Sequence, residues 1–329
     1  MSEQFFAEAL TRDASLELEL RQPNNPFATA AYFRAKANLG FDVWIAGVRN
    51  SDSAITNGCG LFFKRGSLNH SLEIVSLPDF PPESAFWSGL RDLCTHKGVT
   101  LLALGSYASE SGARIPSFGE LEVRRDRCEY VLDLRVDPAS QLRSNHRRNV
   151  KKAQQLGMAM ASSRSTDALN AHLSLINQSM LRRRARGESV STVTQPVDRF
   201  AFLESRAGEL FQAVLDDDVL SSVLVLHAFS GSYYQSAGTT PEGMACGASH
   251  FLVHSISNHL RDQGATTFGL GGAEPGSTLA RFKSDFGAVQ VPLQALTCHV
   301  GPEWKRRTSQ AVAVTRSLRN RLWSRQRSD

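Results

Sequence analysis

The sequence predicts an α/β protein with mixed sheets, arranged as two successive domains. Its 329 residues exceed the roughly 100 to 200 residues of an average domain. Hydrophobic residues make up 41% and charged residues 21% of the chain, a composition typical of folded globular proteins. Strand-like and helix-like segments alternate, and their order in the second half repeats the order in the first. The pattern therefore indicates a duplicated fold, although no repeat is visible residue by residue.

The first predicted domain spans residues 1–135. A helix is expected after Asn25, because Pro26 suits the first position of a helix. The polar segment 49–58 has the composition of a hairpin turn between two strands. The predicted helices are 27–37 and 82–96, and the predicted strands are 41–48, 60–64, 71–76, 99–104 and 127–134.

The second predicted domain spans residues 136–302. Asp137 can cap a helix that begins at Pro138, and Gly157 is expected to end that helix. Three successive strands with short polar connections then predict two hairpins. The glycine-rich segment 271–276 is predicted to be a tight turn, since it lacks the lysine of a phosphate-binding loop. The predicted helices are 138–156, 166–183, 197–206, 248–262 and 277–284, and the predicted strands are 158–162, 210–215, 219–229, 232–237, 266–270 and 289–300.

The chain is basic, with a formal net charge of +5. Positive charge is concentrated at 143–152 and at 303–329, and the second of these segments is predicted to be a basic C-terminal helix. Such clusters favour an anionic partner, which could be a phosphate-bearing substrate, RNA or a membrane surface. Solvated helix faces give the same pattern, so the charge alone leaves these alternatives open.

No disulfide, metal site or transmembrane segment is predicted. The five cysteines are widely spaced and form no C-x-x-C pair, which is typical of small buried apolar side chains. His250 and His254 have the spacing of a zinc pair, but Phe251 replaces the glutamate of H-E-x-x-H. The chain has no run of about 18 apolar residues and no basic N-terminal leader. We therefore expect a cytoplasmic protein.

Two segments carry a more specific signal. The first is the basic stretch LRSNHRRNVKKA at 142–153, where Arg148 and Lys152 lie four residues apart on one side of a helix. The second is LARFKSDFG at 279–287, which follows a glycine-rich strand end. Together they resemble the second half of the Fem-type peptidyltransferases and their relatives in the GNAT acyltransferase superfamily. In that group a basic S-x-x-R-R-x-x-x-K-A helix opens the second domain, and an F-K-x-x-F-G motif lies near the end.

The resemblance implies two tandem GNAT-like domains, with an active cleft between them or along the second. Members of the group move an acyl or aminoacyl group from coenzyme A or aminoacyl-tRNA to an amine. The implied catalytic residue is Lys283, the lysine of the F-K motif, which would act on the acyl carbonyl. The implied substrate-binding residues are Arg147, Arg148 and Lys152, which would hold substrate phosphates, together with Tyr234 and Phe282. The implied contacts of the acyl donor are Gln235, Gly238, Gly243 and Ser249.

The predicted donor loop departs from the R/Q-x-x-G-x-G/A pattern of the superfamily. Thr240 takes its last position, and Glu242 adds a negative charge where a pyrophosphate would bind. The expected function is nevertheless an N-acyltransferase that uses acetyl-CoA or another acyl-CoA as co-substrate, with no tightly bound cofactor. The acceptor would be a small-molecule amine or a cell-envelope precursor. The alternatives are aminoacyl-tRNA-dependent peptidyl transfer, with tRNA as a partner, and a non-catalytic module that binds RNA or an anionic surface.

Overall fold

The computed structural model describes residues 3–66, 70–109, 114–119, 121–187 and 196–300. The predicted basic helix at 303–329 lies outside the described residues. None of the helices in the described ranges has the length and apolar content needed to cross a bilayer.

The first part of the chain alternates strands and helices as predicted, with two additional elements at its start. Its strands are β1 (Gln4–Ala9), β2 (Asp42–Arg49), β3 (Ile55–Arg65), β4 (His70–Ile74), β5 (Leu101–Gly105) and β6 (Glu122–Asp133), and its helices are α1 (Arg12–Arg21), α2 (Ala30–Asn38) and α3 (Ala85–His96). The predicted helix at 27–37 is divided at Thr29 into a 3₁₀ turn, Pro26–Ala28, and α2. Thr29 is extended and caps α2 by accepting the Tyr32 N–H at 3.1 Å.

The second part of the chain carries the larger set of helices. Its helices are α4 (Pro138–Gln141), α5 (Ser144–Gln155), α6 (Thr166–Ala185), α7 (Pro196–Glu204), α8 (Pro241–Cys246), α9 (Ala248–Asp262) and α10 (Thr278–Ser284), and its strands are β7 (Ala159–Ser163), β8 (Gly208–Leu215), β9 (Asp218–His227), β10 (Gly231–Thr239), β11 (Thr267–Ala273) and β12 (Val289–His299). The predicted helix at 138–156 is two helices, because Leu142 is extended and the Arg143 N–H donates to the Asp285 carbonyl at 3.0 Å.

Two further predictions for this part of the chain were incomplete. Helix α8 was not predicted. Part of the predicted turn at 271–276 belongs to β11, which continues to Ala273.

The twelve strands of the described residues belong to one sheet, in the order β1-β2-β3-β4-β5-β12-β6-β11-β10-β9-β8-β7. We call β1–β5 with β12 the N-terminal half-sheet, and β6–β11 the C-terminal half-sheet. Read from its outer edge inward, each half-sheet has three antiparallel pairs, then one parallel pair, then an antiparallel pair. The two halves therefore repeat one topology, as the order of predicted elements suggested.

The two half-sheets exchange their last strands. β6 follows β5 in the chain but pairs with β11, and β12 follows β11 but pairs with β5. The exchanged strands also pair with each other over ten residues, from Val289 with Val131 to Cys298 with Glu122. The predicted boundary near residue 136 stays a prediction, but a cut there would separate β6 from β11 in the same half-sheet.

Three apolar cores surround the sheet. Helices α5 and α9 cover one face of the C-terminal half-sheet, and α3 covers one face of the N-terminal half-sheet. A third core lies between the halves and includes residues of α2, α6 and α7. In it the rings of Tyr32 and Phe202 stack at 5.5 Å, so aromatic packing joins the halves. All five cysteines are buried and unpaired, which confirms that they act as small core side chains.

Candidate active site

A cleft of about 940 Å³ opens where the two half-sheets meet. Residues of α2, β3 and β4 form its N-terminal wall, and residues of α7, β10, β11 and α10 form its C-terminal wall. The cleft is lined by aromatic rings, by the cations Lys36, Lys64, Arg199 and Lys283, and by the carboxylates Glu73 and Asp198. Its walls thus combine apolar surface with charges of both signs, as binding sites for small molecules do.

The floor of the cleft is a gap between the parallel strands β10 and β11, which we call the open seam. These strands pair only from Gly231 with Thr267 to Tyr233 with Gly269. Beyond that point β10 shifts register against β9 between Tyr234 and Ser236, and β11 shifts register against β6 between Gly269 and Gly272. Because both strands are irregular here, the backbones of β10 and β11 do not continue their parallel pairing beyond Tyr233 and Gly269.

Gly271 lies at the open seam. Its φ is +75°, a conformation that side-chain-bearing residues rarely adopt. A Cβ at this position would lie 3.3 Å from the Tyr234 carbonyl oxygen, 3.5 Å from the Tyr233 hydroxyl and 3.8 Å from Lys283 Nζ. The absent side chain thus lets the backbones of β10 and β11 approach each other beside the Tyr233 hydroxyl and Lys283 Nζ.

Lys283 reaches the open seam from α10. The residue is 5% exposed, and its Nζ donates to the carbonyls of Gly271 at 2.7 Å and Gly272 at 3.0 Å. Burying an ammonium group is costly unless it is hydrogen-bonded, and carbonyls next to the irregularity in β11 supply these bonds. The predicted catalytic residue therefore lines the cleft with its amino group held by two backbone carbonyls.

A buried carboxylate lies beside the open seam. Glu129, on β6, is 2% exposed. Its Oε1 accepts a 2.6 Å hydrogen bond from the Tyr233 hydroxyl, and its Oε2 accepts the Ala108 N–H at 2.7 Å. Ala108 adopts a left-handed φ of 55°, unusual for a residue other than glycine. The sequence prediction missed Glu129, although an acidic residue inside the apolar run CEYVL was a usable signal.

The N-terminal wall holds an ion pair above aromatic rings. Lys36 Nζ lies 2.7 Å from Glu73 Oε2 and 4.1 Å from the centroid of the Phe41 ring. Burial, with added repulsion from Glu73 and Asp198, raises the pKa of Tyr32 on the same wall. The sequence prediction named no residue of this wall, because it formed its site only from the second domain.

Two predicted substrate and donor contacts lie in the cleft beside Lys283. Tyr234 and Gln235 occupy the irregular part of β10 and line the cleft. Burial raises the pKa of Tyr234, so its phenol stays neutral at physiological pH. The fold therefore brings three of the predicted site residues together.

The other predicted donor contacts form the packed start of the α8–α9 segment. A Cβ on Gly238 would overlap the backbone of Leu175 in α6. The Gly243 N–H donates to Thr240 Oγ1 at 2.8 Å, and Ser249 Oγ bonds Thr239 Oγ1 at 2.8 Å. These residues pack around the C-terminal end of β10. Close packing requires glycine at positions 238 and 243.

The remaining predicted residues lie on the α5 side of the sheet. Phe282 packs against His146, His250 and Phe286, with ring centroids 5.1 to 5.2 Å apart. Arg147 and Arg148 are exposed on α5, whereas Lys152 Nζ donates to the Ala245 carbonyl at the end of α8 at 2.9 Å. Of this group, Lys152 contacts the end of α8 and Phe282 contacts His250 of α9.

No metal centre is formed by the described residues: nowhere among them do three or more His, Cys, Asp or Glu side chains come close enough to hold an ion. His250 and His254, the pair with zinc-like spacing, belong to the packing of α9. Burial lowers the pKa of both, that of His250 to about 4, with a smaller contribution from the charge of His146.

Comparison with known protein families gives one match. The family model described as an acetyltransferase (GNAT) domain matches residues 140–284, a little under half of the chain. The resemblance to the GNAT superfamily is confirmed. The matched residues include β10, the α8–α9 segment, β11 and Lys283. They exclude Glu129 and the whole N-terminal wall. No curated protein sequence matches the chain significantly.

Solved structures extend the likeness to nearly the whole chain. FemX is similar with a TM-score of 0.64 at 11% identity, covering 88% of this chain and 96% of FemX. L-PGS from Bacillus licheniformis gives a TM-score of 0.54 at 12% identity, covering 94% and 97%. A tandem GNAT protein from the clavulanic acid biosynthesis pathway gives 0.51 at 13% identity, covering 92% and 100%. At these identities the likeness shows the fold, and the predicted pair of GNAT-like domains is confirmed.

Proposed function

We propose that this protein is an N-acyltransferase that moves an acyl group from acyl-CoA to an amine held in the cleft. The observation that carries the proposal is the open seam, where β10 and β11 lose their pairing and the Tyr233 hydroxyl and Lys283 Nζ both lie near Gly271. A thioester carbonyl bound at the open seam would lie near both the amino group of Lys283 and the phenol of Tyr233. The GNAT match of residues 140–284 supports acyl-CoA as the donor.

Lys283 would stabilise the oxyanion that forms when the amine attacks the thioester. The attack makes a C–N bond and places negative charge on the carbonyl oxygen. A preorganised donor for that oxygen contributes about 2.7 to 4 kcal/mol to catalysis. The ammonium of Lys283 suits this role because its backbone bonds fix it before the substrate arrives.

Glu129 and Tyr233 would handle the proton. As the C–N bond forms, Tyr233 passes its hydroxyl proton to the Glu129 carboxylate and takes one from the attacking amine. As the tetrahedral intermediate collapses, the C–S bond breaks and the proton returns through Tyr233 to the leaving thiolate. The products are the amide and free coenzyme A. General acid–base catalysis of this kind contributes about 10²- to 10⁴-fold in rate.

The donor would extend from the open seam toward the α8–α9 segment. Backbone edges of β10 that are not used by β11 can pair with the amide-containing arm of coenzyme A. Gln235, Gly238 and Ser249 would line this path, with Lys152 close to its phosphate end. The Gly243 N–H already bonds Thr240, so we assign Gly243 a packing role in the donor segment.

Aminoacyl-tRNA as donor is the second candidate. Two observations favour it: the similarity to FemX, and the exposed basic surface formed by Arg147 and Arg148 on α5. In that case the same seam would bind an aminoacyl ester, and RNA would lie along α5. The acceptor would again be the amine of a small molecule or a cell-envelope precursor. The third candidate, a binding module for RNA or an anionic surface, predicts affinity without turnover.

A donor and acceptor screen tests the proposal. Thiol release from acetyl-CoA and longer acyl-CoAs is measured with a panel of amines, using the wild-type chain and Lys283→Met. We expect amine-dependent thiol release that the variant loses. A titration with aminoacyl-tRNA at several salt concentrations runs in parallel. If aminoacyl-tRNA binds with a steep salt dependence and donates its aminoacyl group, while no acyl-CoA donates an acyl group, the second candidate is correct.

A further inference from the structure

Helix α6 binds β10 along one polar face. His172, Leu175, Ser179 and Arg182 are spaced three to four residues apart and so lie on one side of the helix. The Leu175 backbone contacts Gly238 directly. The Thr239 N–H donates to Ser179 Oγ at 3.3 Å, and Arg182 donates to the Thr239 carbonyl. The helix therefore holds β10 along the part of the strand that leaves β11.

His172 links α6 to two adjacent strands. The residue is fully buried. Its Nδ1 lies 2.9 Å from Ser222 Oγ on β9, and its Nε2 lies 2.9 Å from Ser236 Oγ on β10. Ser236 is the residue at which β10 resumes pairing after its register shift. The imidazole thus joins the end of the irregularity to a regular position on the neighbouring strand.

A directed chain of hydrogen bonds continues from His172 to the cleft. Arg199 Nε donates to Ser236 Oγ at 3.2 Å, and Arg199 lines the cleft. Since Ser236 Oγ accepts this bond, its own hydrogen can be donated to His172 Nε2, and His172 Nδ1–H can then donate to Ser222 Oγ. This arrangement needs a neutral imidazole. Burial, with a smaller effect of the Arg199 charge, lowers the pKa of His172 to about 3, which keeps the ring neutral at physiological pH.

We infer that His172 is a positioning residue that fixes the irregular segment of β10 and thereby sets the acyl-donor edge of the cleft. Tyr234 and Gln235 immediately precede Ser236 and line the cleft, so their positions depend on the backbone position of Ser236. If the bond to Ser236 is lost, this segment can relax toward the gap and narrow the donor path. The inference rests on the proposed function for its catalytic consequence, but the restraint on β10 can be measured without activity.

Two substitutions separate the two bonds of the imidazole. His172→Asn keeps a donor where Nδ1 lies, so the bond to Ser222 can persist while the bond to Ser236 is lost. His172→Gln is longer and reaches the position of Nε2, so it can restore the bond to Ser236. His227→Asn is the matched control, because His227 is a desolvated histidine of β9 whose Nδ1 faces Ser232 at 3.4 Å rather than α6.

Steady-state kinetics with acetyl-CoA give the first test. For His172→Asn we expect at least about a tenfold rise in the donor KM, with kcat within about threefold of the wild type. His172→Gln should bring the donor KM back to within about threefold, and His227→Asn should leave it unchanged. An active His172→Asn enzyme with an unchanged donor KM overturns the inference, as does an equal loss in both His172 variants.

Amide hydrogen exchange gives the second test and needs no turnover. In His172→Asn, peptides covering 234–239 should exchange at least about tenfold faster, whereas His172→Gln and His227→Asn should match the wild type there. Unchanged exchange in 234–239, or acceleration spread evenly over the chain, overturns the positioning role. If the wild type transfers no acyl group to any amine, the proposed function fails, and the exchange result alone decides whether His172 restrains β10.

Discussion

The two half-sheets share one strand order but differ at the seam between their parallel strands. In the N-terminal half, β4 and β5 stay joined beyond their ends by an isolated antiparallel bridge between Ser76 and Ser106, in which the Leu77 N–H donates to the Gly105 carbonyl at 2.8 Å and the Tyr107 N–H donates to the Val75 carbonyl at 3.1 Å. In the C-terminal half, β10 and β11 separate after Tyr233. Duplication of a topology therefore does not duplicate a site, and local residues decide which seam opens.

The local differences can be named. The open seam between β10 and β11, which is the C-terminal seam, has a register shift in each strand. It also has a glycine with positive φ at position 271, and a lysine, Lys283, whose Nζ donates to two carbonyls of β11. Next to the N-terminal seam, Ser76 and Ala108 line a smaller pocket of about 290 Å³ with Asn25 and Asn57. That pocket is bordered by neutral amides and hydroxyls, with one cation and one carboxylate. The comparison predicts that chemistry occurs at the C-terminal seam only.

The largest expected effect is at Lys283. Lys283→Met keeps the volume of the side chain and removes the ammonium group, so kcat should fall by about 100- to 1,000-fold, as for loss of one oxyanion donor. Lys97→Met is the control in the N-terminal half, where Lys97 Nζ lies 3.6 Å from the centroid of the Trp44 ring. It should retain wild-type turnover. A fully active Lys283→Met enzyme would refute the catalytic role.

The second largest effect is expected at Tyr233, with Tyr107 as its control in the N-terminal half. Tyr233→Phe removes the hydroxyl that bonds Glu129, and kcat should fall by about 100-fold because the proton path is broken. Tyr107→Phe changes a ring of the N-terminal half that lines the same cleft, 6.5 Å from the Tyr233 ring, and should alter kcat by less than about twofold. Equal losses in the two variants would show that packing, rather than proton transfer, explains both.

Acid should weaken the C-terminal half first. Burial lowers the pKa of His172 to about 3 and the pKa of both His227 and His250 to about 4. Below about pH 6.5 the unfolded chain binds protons that these neutral rings do not, so the free energy of unfolding falls as the pH drops toward 4. The slope is at most about 1.4 kcal/mol per pH unit for each histidine. Between pH 7 and pH 5 the protection factors for hydrogen exchange, which correct for the intrinsic rate at each pH, should fall more in α6 and α9 than in α3.

Replacement of one buried histidine tests whether that residue contributes to the dependence of unfolding free energy on pH. His172→Gln should flatten the dependence of unfolding free energy on pH between about 6.5 and 4, since a non-titrating side chain replaces the ring. The control His96→Gln, on the exposed end of α3, should leave the slope unchanged. A slope identical in the wild type and His172→Gln would exclude this histidine as a source of acid sensitivity.

The smallest expected effect is at the basic surface of α5. Lys152→Ala removes a charge next to the α8–α9 segment, so the donor KM should rise about threefold at low salt and less at high salt, with kcat unchanged. Arg91→Ala, on α3 of the N-terminal half, is the matched control. A rise in KM that does not depend on salt concentration would argue against electrostatic binding of the donor phosphates.

The sequence predicted the C-terminal wall of the site better than the rest of it. The order of strands and helices was readable because caps and hydrophobic periodicity are local, and the F-K motif pointed to Lys283, which lines the cleft. Exchange of β6 and β12 was not readable, since it depends on pairing between residues more than 100 positions apart. Lys36 was missed because it joins the site only through contact between the two halves, whereas Glu129 was missed although the acidic residue in the apolar run CEYVL was a usable signal.

Mapping of coenzyme A binding by hydrogen exchange tests the central claim most directly. The wild-type chain is compared with and without saturating coenzyme A, and protection is read along both seams. We predict that the peptides covering 234–249 and 269–273 become protected, while those covering 71–77 and 101–107 do not change. Protection of the N-terminal seam, or equal protection of both, would contradict the proposal that only the C-terminal half carries the donor site.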